Sequence, residues 1–199
     1  MPIQIAQLEG FILAGGASSR MGTDKSQLLI ENQTFVARIA DSLLTITDSV
    51  RLVGGRENSK LAVVPDIFPQ WGALGGLHAA VTACRREWAI VVACDLPFVT
   101  AELLFRLASL RENYDAVVPI QEDGRPQPLC AFYRAETCAR WATELIEAGR
   151  RRPLDLLESV NTRRVEFAEI ANLAQAERFF VNINTPEDYD GVLRAPNGG

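Results

Sequence analysis

Short apolar runs alternate with longer amphipathic stretches along most of this chain. The first runs of strand length lie at residues 10–14, 49–53, 61–64 and 88–94. The last of them has no polar alternation, which is typical of a strand that is buried on both faces. Residues 34–44 repeat apolar positions at helical spacing. This alternation predicts an α/β fold, in which a mostly parallel central sheet carries helices on both faces in a three-layer, Rossmann-like arrangement.

The same pattern continues to the end of the chain, with one interruption. Further helices are predicted at residues 75–84, 100–110, 135–148 and 154–159, and further strands at 164–167 and 179–183. Thr185-Pro186-Glu187-Asp188 is typical of a helix start, because a capping residue is followed by a proline and two acids. Residues 115–120 and 128–133 flank a polar turn that contains Asp-Gly, so we expect them to form a small antiparallel excursion from the sheet.

The composition fits one globular domain. The chain has 199 residues, 48% of them hydrophobic and 23% charged, which excludes general disorder. No internal repeat or linker divides it, so we expect a single domain with a loose tail at residues 194–199. No apolar stretch approaches the roughly 18 residues of a membrane span, and the first ten residues lack a signal-peptide pattern. The four cysteines form no C-x-x-C pair and are expected to be reduced thiols, which favours a cytoplasmic protein without a membrane partner.

The charged residues exclude several classes of site. A formal net charge of −5 disfavours non-specific binding to nucleic acid, so a small-molecule partner is favoured. Because His78 is the single histidine, a two-histidine zinc site is excluded, and any Ser-His-Asp mechanism would depend on this residue. We interpret His78 as packing or loop support rather than as a catalytic group. Lys25 and Lys60 are the only lysines in the sequence.

The most informative stretch is the Gly- and Ser-rich loop at residues 13–25, between the first strand and the first long helix. Ligands of open α/β sheets bind beyond the carboxyl ends of strands. Glycines let the backbone approach a phosphate, and Arg20 and Lys25 supply positive charge, so the loop predicts a phosphate-binding site. The glycine spacing does not match G-x-G-x-x-G, and two residues separate Gly22 from Lys25, which excludes a Walker A motif. The alternative is an ordinary solvated loop.

The loop at residues 13–25 also resembles the signature loop of the molybdenum cofactor nucleotidyltransferases, and within that family most closely the guanylyltransferase branch. Further stretches resemble the family in the same order: Gly72-Ala73-Leu74-Gly75-Gly76-Leu77, Cys94-Asp95-Leu96-Pro97-Phe98, Gln127-Pro128-Leu129 and Val181-Asn182-Ile183-Asn184-Thr185-Pro186-Glu187. The resemblance covers nearly the whole chain. It implies a nucleotidyltransferase fold with a nucleotide-binding half at residues 1–100 and an acceptor-binding half at residues 101–193.

The activity that this resemblance implies is Mg²⁺-dependent transfer of GMP from GTP to the phosphate of molybdopterin or of molybdenum cofactor, with release of pyrophosphate. The attacking phosphate oxygen is already ionised at neutral pH, so no general base is required. Catalysis would then consist of alignment and charge neutralisation. Proteins that deliver the finished cofactor are expected as transient partners.

The resemblance also assigns roles to residues of the first half. Asp95 is expected to bind Mg²⁺ and to act in catalysis with Lys25 and Arg20, and a carboxylate at the end of a strand suits that metal. For Asp66 a role in forming its own turn is equally open, and for Asp95 a capping role is the alternative. The nucleotide is expected to contact Leu13, Ala14, Gly15, Gly16, Lys25, Asp66 and Asp95.

Candidates for binding the acceptor lie in the second half of the chain. Asn182 and Asn184 alternate with Val181 and Ile183 at the end of the predicted strand 179–183, so both would face one side of a strand. They are expected to bind the pterin or to support a loop. Arg150 and Arg151 are candidates for the acceptor's phosphate, although a run of positive charge is commonly a solvated face.

Three points stay open. The choice of base rests largely on Gly15, because cytidylyltransferases of the same family usually carry alanine there. The family's nucleotide-contacting asparagine has no clear counterpart in residues 52–58, so backbone amides of Gly54 or Gly55, or a different guanine contact, are alternatives. A cytidylyltransferase, a sugar-phosphate nucleotidyltransferase and a catalytically silent nucleotide- or cofactor-binding protein would also carry the loop at residues 13–25.

Overall fold

A computed structural model describes residues 5–14, 28–55, 60–183 and 185–194, with side chains up to residue 191. The strands are β1 (Leu8–Leu13), β2 (Leu29–Ile30), β3 (Gln33–Thr34), β4 (Val50–Val53), β5 (Ala62–Val64), β6 (Trp88–Ala93), β7 (Ala116–Pro119), β8 (Cys130–Arg134) and β9 (Thr162–Val165). The helices are α1 (Phe35–Leu44), α2 (Gly72–Ala83), α3 (Ala101–Ala108), α4 (Ala135–Glu147), α5 (Pro153–Ser159) and α6 (Pro186–Arg194), with 3₁₀ turns at Phe167–Glu169 and Ala176–Arg178.

The central sheet has seven strands in the order β5-β4-β1-β6-β8-β7-β9. Strand β8 is antiparallel to both β6 and β7, while the other neighbouring pairs are parallel. Strands β2 and β3 form a separate two-stranded antiparallel sheet. The predicted α/β architecture is confirmed, and so is the antiparallel excursion, because the stretches predicted at 115–120 and 128–133 pair as β7 and β8.

Hydrophobic side chains pack on both faces of this sheet. Strand β6 is buried along its whole length, and its alternate residues point to opposite faces. Ile90 and Val92 pack in the core under α1 and α3, whereas Ala89 and Val91 pack in the core under α2, α4 and α5. The helices therefore cover both faces, and the residues that follow β6 extend from a strand that is packed on both sides.

Two helix starts follow the predicted capping residues. The Oγ1 of Thr100 accepts a hydrogen bond from the N–H of Leu103 at 3.3 Å, which caps α3. The Oγ1 of Thr185 accepts one from the N–H of Asp188 at 3.1 Å, where α6 begins. Across the parts of the chain that the structure describes, none of the helices is both long enough and apolar enough to cross a bilayer.

The strand predicted at residues 179–183 is wrong. The chain forms the 3₁₀ turn at Ala176–Arg178 and continues without joining the sheet. Part of its main chain is therefore satisfied by hydrogen bonds within local turns. Phe179 and Ile183 are fully buried and Asn182 is exposed. The two buried residues are four positions apart, which is typical of a chain that turns. The sequence had instead suggested the two-residue alternation of a strand.

All four cysteines lie in the described ranges and carry free thiols. Burial raises the pKa of Cys130 and of Cys138 to about 12, and that of Cys84 to about 11. These three thiols are therefore protonated at neutral pH, which makes them poor nucleophiles.

Candidate functional site

Four parallel strands, β1, β4, β5 and β6, end at the same edge of the sheet, which we call the carboxyl edge. Main-chain hydrogen bonds continue the ladder beyond these strands. The N–H of Ala14 donates to the carbonyl oxygen of Val53 at 2.9 Å, and the N–H of Cys94 donates to that of Leu13 at 3.0 Å. The segments that follow the strands therefore start side by side, at the place where ligands of such sheets bind.

The predicted phosphate loop follows β1 at the middle of the carboxyl edge. Leu13 is buried in the core and Ala14 is half-buried, so these two residues anchor the start of the loop between β4 and β6. The rest of the loop lies outside the residues that the structure describes, including Gly15, Gly16, Arg20 and Lys25. Their contacts with a nucleotide stay predictions.

Asp95 lies two residues after the end of β6 and is half-buried. Its carbonyl oxygen accepts a hydrogen bond from the N–H of Ile183 at 3.1 Å, which fixes its main chain. Within the described residues, no three His, Cys, Asp or Glu side chains cluster closely enough to hold a metal ion. A single carboxylate still suits Mg²⁺, because this ion keeps several waters and takes phosphate oxygens as ligands. The donor chemistry of Asp95 thus fits a metal that is bound jointly with a nucleotide.

Asp66 lies at the same edge, in the loop between β5 and α2, and is exposed. Its Oδ1 accepts a hydrogen bond from the N–H of Phe68 at 3.0 Å, so the turn-forming role is present. Helix α2 packs closely on this loop, since a Cβ added to Gly75 would lie 3.0 Å from the carbonyl oxygen of Phe68. A carboxylate has further acceptor sites, and the nucleotide-binding role of Asp66 stays a prediction beside the observed turn.

The turn after β4 holds two glycines with positive φ, 68° at Gly54 and 80° at Gly55. A Cβ added to Gly55 would lie only 3.2 Å from that of Ala14, so a glycine here lets the two segments meet. The N–H of Gly54 already donates to the carbonyl oxygen of Val64 at 3.1 Å. A contact of either amide with the nucleotide stays a prediction.

His78 is buried where α2 packs against α4. Its Nε2 lies 3.0 Å from the Oγ1 of Thr143, and its ring meets that of Phe68 edge-on with 4.9 Å between centroids. Burial lowers the pKa of His78, which keeps the ring neutral. These contacts agree with packing and with support of the Asp66 loop.

Arg150 and Arg151 lie in the loop between α4 and α5, which packs against the loop before α2. The guanidinium of Arg150 donates two hydrogen bonds to the carboxylate of Asp155, one from Nε to Oδ2 at 3.0 Å and one from Nη2 to Oδ1 at 2.8 Å. The guanidinium of Arg151 lies over the ring of Trp71, 4.5 Å from its centroid. Hydrogen bonds from Arg150 and Arg152 hold the pKa of Asp155 well below its usual range. Both predicted acceptor ligands therefore already have structural partners, and a role in binding phosphate stays a prediction.

Asn182 lies in an irregular segment before α6 and not in the predicted strand. It is exposed and directly precedes Ile183, whose N–H is bonded to Asp95. The main chain of the segment before α6 thus lies beside Asp95. Asn184 falls outside the described residues, so the predicted common face of the two asparagines has no counterpart in the described part of the chain.

One polar residue reaches the carboxyl edge without a role assigned from the sequence. Gln127 directly precedes Pro128, and strand β8 starts at Cys130. Because β8 runs antiparallel to β6, the start of β8 lies at the edge where β6 ends. The position of Gln127 at this edge depends on how the distant strands pair. In the sequence, the short motif Gln127-Pro128-Leu129 is the one feature that draws attention to this residue.

Comparison with known proteins agrees with this arrangement. The family model described as "MobA-like NTP transferase domain" matches residues 10–164. A protein of Pelotomaculum thermopropionicum named "Probable molybdenum cofactor guanylyltransferase" is 36% identical over 186 residues, which are 92% of this chain and 90% of that protein.

Two solved structures extend the comparison to the fold. Molybdopterin-guanine dinucleotide biosynthesis protein A from Archaeoglobus fulgidus superposes with a TM-score of 0.78 at 24% identity, covering 92% of this chain and 95% of that one. 2-C-methyl-D-erythritol 4-phosphate cytidylyltransferase from Thermus thermophilus gives 0.67 at 15% identity, covering 96% and 98%. At these identities the likeness shows the fold alone, and that fold is the one expected of nucleotidyltransferases.

Proposed function

Because the chain belongs to the family of MobA-like NTP transferases, we propose that it transfers GMP from GTP to the phosphate of molybdopterin or of molybdenum cofactor. The chain is an enzyme, a nucleotidyltransferase that acts in molybdenum cofactor biosynthesis. The choice of GTP is supported by relatives named as probable molybdenum cofactor guanylyltransferases. The products would be the guanine dinucleotide form of the cofactor and pyrophosphate.

The observation that carries the proposal is the position of Asp95 near the middle of the carboxyl edge. Strands β1, β4 and β5 lie on one side of β6, and β8, β7 and β9 lie on the other. A carboxylate between the two halves of the sheet is well placed for a group transfer between two bound substrates. We assign residues 1–100 to the nucleotide and residues 101–193 to the acceptor, within one domain.

This reaction requires no general base from the protein. The attacking phosphate oxygen is already ionised, and it forms a bond to the α-phosphorus of GTP. The bond from that phosphorus to the bridging oxygen breaks, and pyrophosphate leaves with the electron pair. The contribution of the protein is alignment and stabilisation of negative charge. A chain whose single histidine is buried between two helices suits this chemistry.

The residues take the following roles in the proposal. Asp95 would hold a divalent cation, Mg²⁺, which when bound would neutralise charge on the triphosphate. Lys25 and Arg20 would face the same triphosphate as fixed cations. The nucleotide would also contact Leu13, Ala14, the amides of Gly15 and Gly16, and Asp66. The acceptor would contact Asn182, Asn184, Arg150 and Arg151, and cofactor-delivery proteins would dock transiently to receive the product.

The test is a nucleotide competition experiment followed by a turnover assay. A labelled GTP is displaced by unlabelled GTP, CTP or ATP in the presence of Mg²⁺, and pyrophosphate release is then measured with molybdopterin as acceptor. We expect GTP to compete best and to support release. Preference for CTP would instead identify a cytidylyltransferase. Tight GTP binding without any pyrophosphate release would identify a catalytically silent binding protein.

A further inference from the structure

Trp71 is the last residue before α2 and lies in the part of the chain assigned to the nucleotide, yet its ring contacts the part assigned to the acceptor. Its Nε1 donates a hydrogen bond to the carbonyl oxygen of Arg150 at 2.8 Å. The guanidinium of Arg151 lies over the same ring, 4.5 Å from its centroid. A tryptophan to which the proposed reaction gives no role therefore touches both arginines that are predicted to bind the acceptor.

Trp71 is firmly held near the carboxyl edge. The loop that contains it follows β5, and its N–H donates to the carbonyl oxygen of Phe68 at 3.1 Å. The half-buried side chain packs against the core under α2, α4 and α5. Its Cβ also lies close to α2, since a Cβ added to Gly75 would be 2.9 Å from it. The indole ring therefore has a defined position against which the arginine can rest.

The three arginines of the loop between α4 and α5 differ in their partners. Arg150 and Arg152 both donate to the buried carboxylate of Asp155, each through Nη2 to Oδ1 at 2.8 Å. Arg151 is exposed, and within the described residues it forms no ion pair with a carboxylate. Its Nη1 donates to the carbonyl oxygen of Gln70 at 3.4 Å. Arg151 thus keeps its full positive charge while the indole ring and a main-chain carbonyl fix its place.

Stacking on a ring leaves the donors of an arginine available. A guanidinium carries five N–H donors in its plane, whereas the ring of Trp71 covers one of its faces. The edge of the guanidinium can therefore still donate two parallel hydrogen bonds to a phosphate. A side chain that is already ordered also loses less conformational freedom when a ligand binds. The contact with Trp71 thus prepares Arg151 for an anionic ligand.

We propose that Trp71 is a positioning residue for the acceptor substrate, because its ring holds the guanidinium of Arg151 ready for the acceptor's phosphate. This inference rests on the proposed function, which assigns that phosphate to the loop between α4 and α5. Trp71 acts through Arg151 and contacts no reacting atom. Because Trp71 and Asp66 belong to the same loop before α2, the contact also ties the arginine to a residue assigned to GTP.

Trp71→Leu is the main test, because it removes the aromatic face and the indole N–H but keeps an apolar side chain. We expect KM for molybdopterin to rise by about fivefold or more, with kcat and KM for GTP changed by less than about twofold. Trp71→Phe restores an aromatic face and should bring the rise below about threefold. Trp141→Leu is the matched control, because Trp141 is also half-buried against the same core but lies within α4, and it should leave all three constants unchanged.

A double-mutant cycle shows whether Trp71 acts through Arg151. Arg151→Ala alone should raise KM for molybdopterin by about tenfold or more, because a charged donor to the phosphate is lost. In that background Trp71→Leu should have less than about a twofold further effect, since the guanidinium that the ring holds is already gone. A further rise as large as in the unmodified enzyme would show that the tryptophan acts independently and would overturn the inference.

The outcomes separate this inference from the proposed function. If the unmodified enzyme releases no pyrophosphate with GTP and molybdopterin, the proposed function fails. If it releases pyrophosphate and Trp71→Leu has a normal KM for molybdopterin, the inference about Trp71 is wrong while the function stands. An equal rise in KM for GTP would also contradict it.

Should Trp71→Leu fail to fold, as judged by circular dichroism, Arg151→Lys decides in its place. A lysine keeps the charge but has no planar face to rest on the ring. KM for molybdopterin is then expected to rise while KM for GTP stays the same, and an unchanged KM for molybdopterin would contradict the inference.

Discussion

The N–H of Ile183 donates a hydrogen bond to the carbonyl oxygen of Asp95 at 3.1 Å. This contact joins the segment before α6 to the end of β6, although 88 positions separate the two residues in the sequence. The side chain of Ile183 is fully buried in a small cluster with Ile30, Phe35 and Phe98. The position of Asp95 therefore depends partly on packing contributed by the last part of the chain.

Ile183→Ala is expected to lower both stability and turnover. Loss of a fully buried isoleucine side chain costs about 2–4 kcal/mol, and the loosened segment no longer holds Asp95 and Asn182 in place. Urea denaturation gives the free energy of unfolding, and pyrophosphate release below the transition gives kcat. Ile46→Ala is the control, since Ile46 is equally buried but lies before β4, at the opposite edge of the sheet. A loss of turnover as large in Ile46→Ala would contradict the predicted link to Asp95.

Asp95→Asn and Lys25→Ala are expected to leave the fold intact and to lower kcat by about 100-fold or more. The first would weaken the proposed ligand of the divalent cation, and the second would remove a cation that we propose stabilises charge on the triphosphate. Pyrophosphate release with GTP and molybdopterin is the measurement, and circular dichroism checks the fold. Lys60→Ala is the matched control for Lys25→Ala, since it removes the other lysine of the chain, which is exposed and lies just before β5. Near-normal rates in either Asp95→Asn or Lys25→Ala would remove the basis for the assigned roles.

Removal of divalent cations tests the role of Asp95 as a metal ligand. We expect a chelator to abolish pyrophosphate release and added Mg²⁺ to restore it in the unmodified enzyme. In Asp95→Asn the half-saturating Mg²⁺ concentration should rise, because an amide oxygen is a weaker ligand than a carboxylate. An unchanged Mg²⁺ requirement in this variant would place the metal on other residues.

Two adjacent glycines of α2 should respond oppositely to the same substitution. A Cβ at Gly75 would lie 2.9 Å from the Cβ of Trp71 and 3.0 Å from the carbonyl oxygen of Phe68, whereas at Gly76 the nearest atom, in Leu13, is 3.6 Å away. Gly75→Ala is expected to destabilise by about 1–3 kcal/mol and to weaken GTP binding by displacing the Asp66 loop. Gly76→Ala should be neutral or stabilising by up to about 1 kcal/mol. Equal effects of both substitutions on unfolding and on nucleotide titration would contradict this difference.

The sequence predicts the parts of the site that depend on local pattern. The apolar run that becomes β6 has no polar alternation, so its burial and the placement of Asp95 beyond its end follow from the sequence alone. The conformation around Asn182 does not follow from the sequence alone, because an irregular segment with buried Phe179 and Ile183 has an apolar pattern like that of a short strand. The place of Gln127 depends on pairing between strands that are distant in sequence, and no local pattern encodes that register.

The contact of Asp155 with Arg150 and Arg152 predicts a specific dependence of stability on pH. Both guanidinium groups donate to the carboxylate of Asp155 and hold its pKa well below the usual value of about 4. A carboxylate with a lowered pKa in the folded state stabilises the protein above the unfolded pKa. That stability is lost as the pH falls through the folded pKa.

Asp155→Asn should therefore lower the free energy of unfolding at pH 7, and the difference from the unmodified protein should shrink as the pH falls below about 4. Urea denaturation of both proteins at pH 7 and at pH 3 measures this convergence. Asp123→Asn is the control, because Asp123 pairs with Arg125 but both side chains are exposed, and exposed pairs contribute little. Such convergence would show that the Asp155 carboxylate stabilises the loop between α4 and α5. An equal stability difference for Asp155→Asn at both pH values would contradict this role.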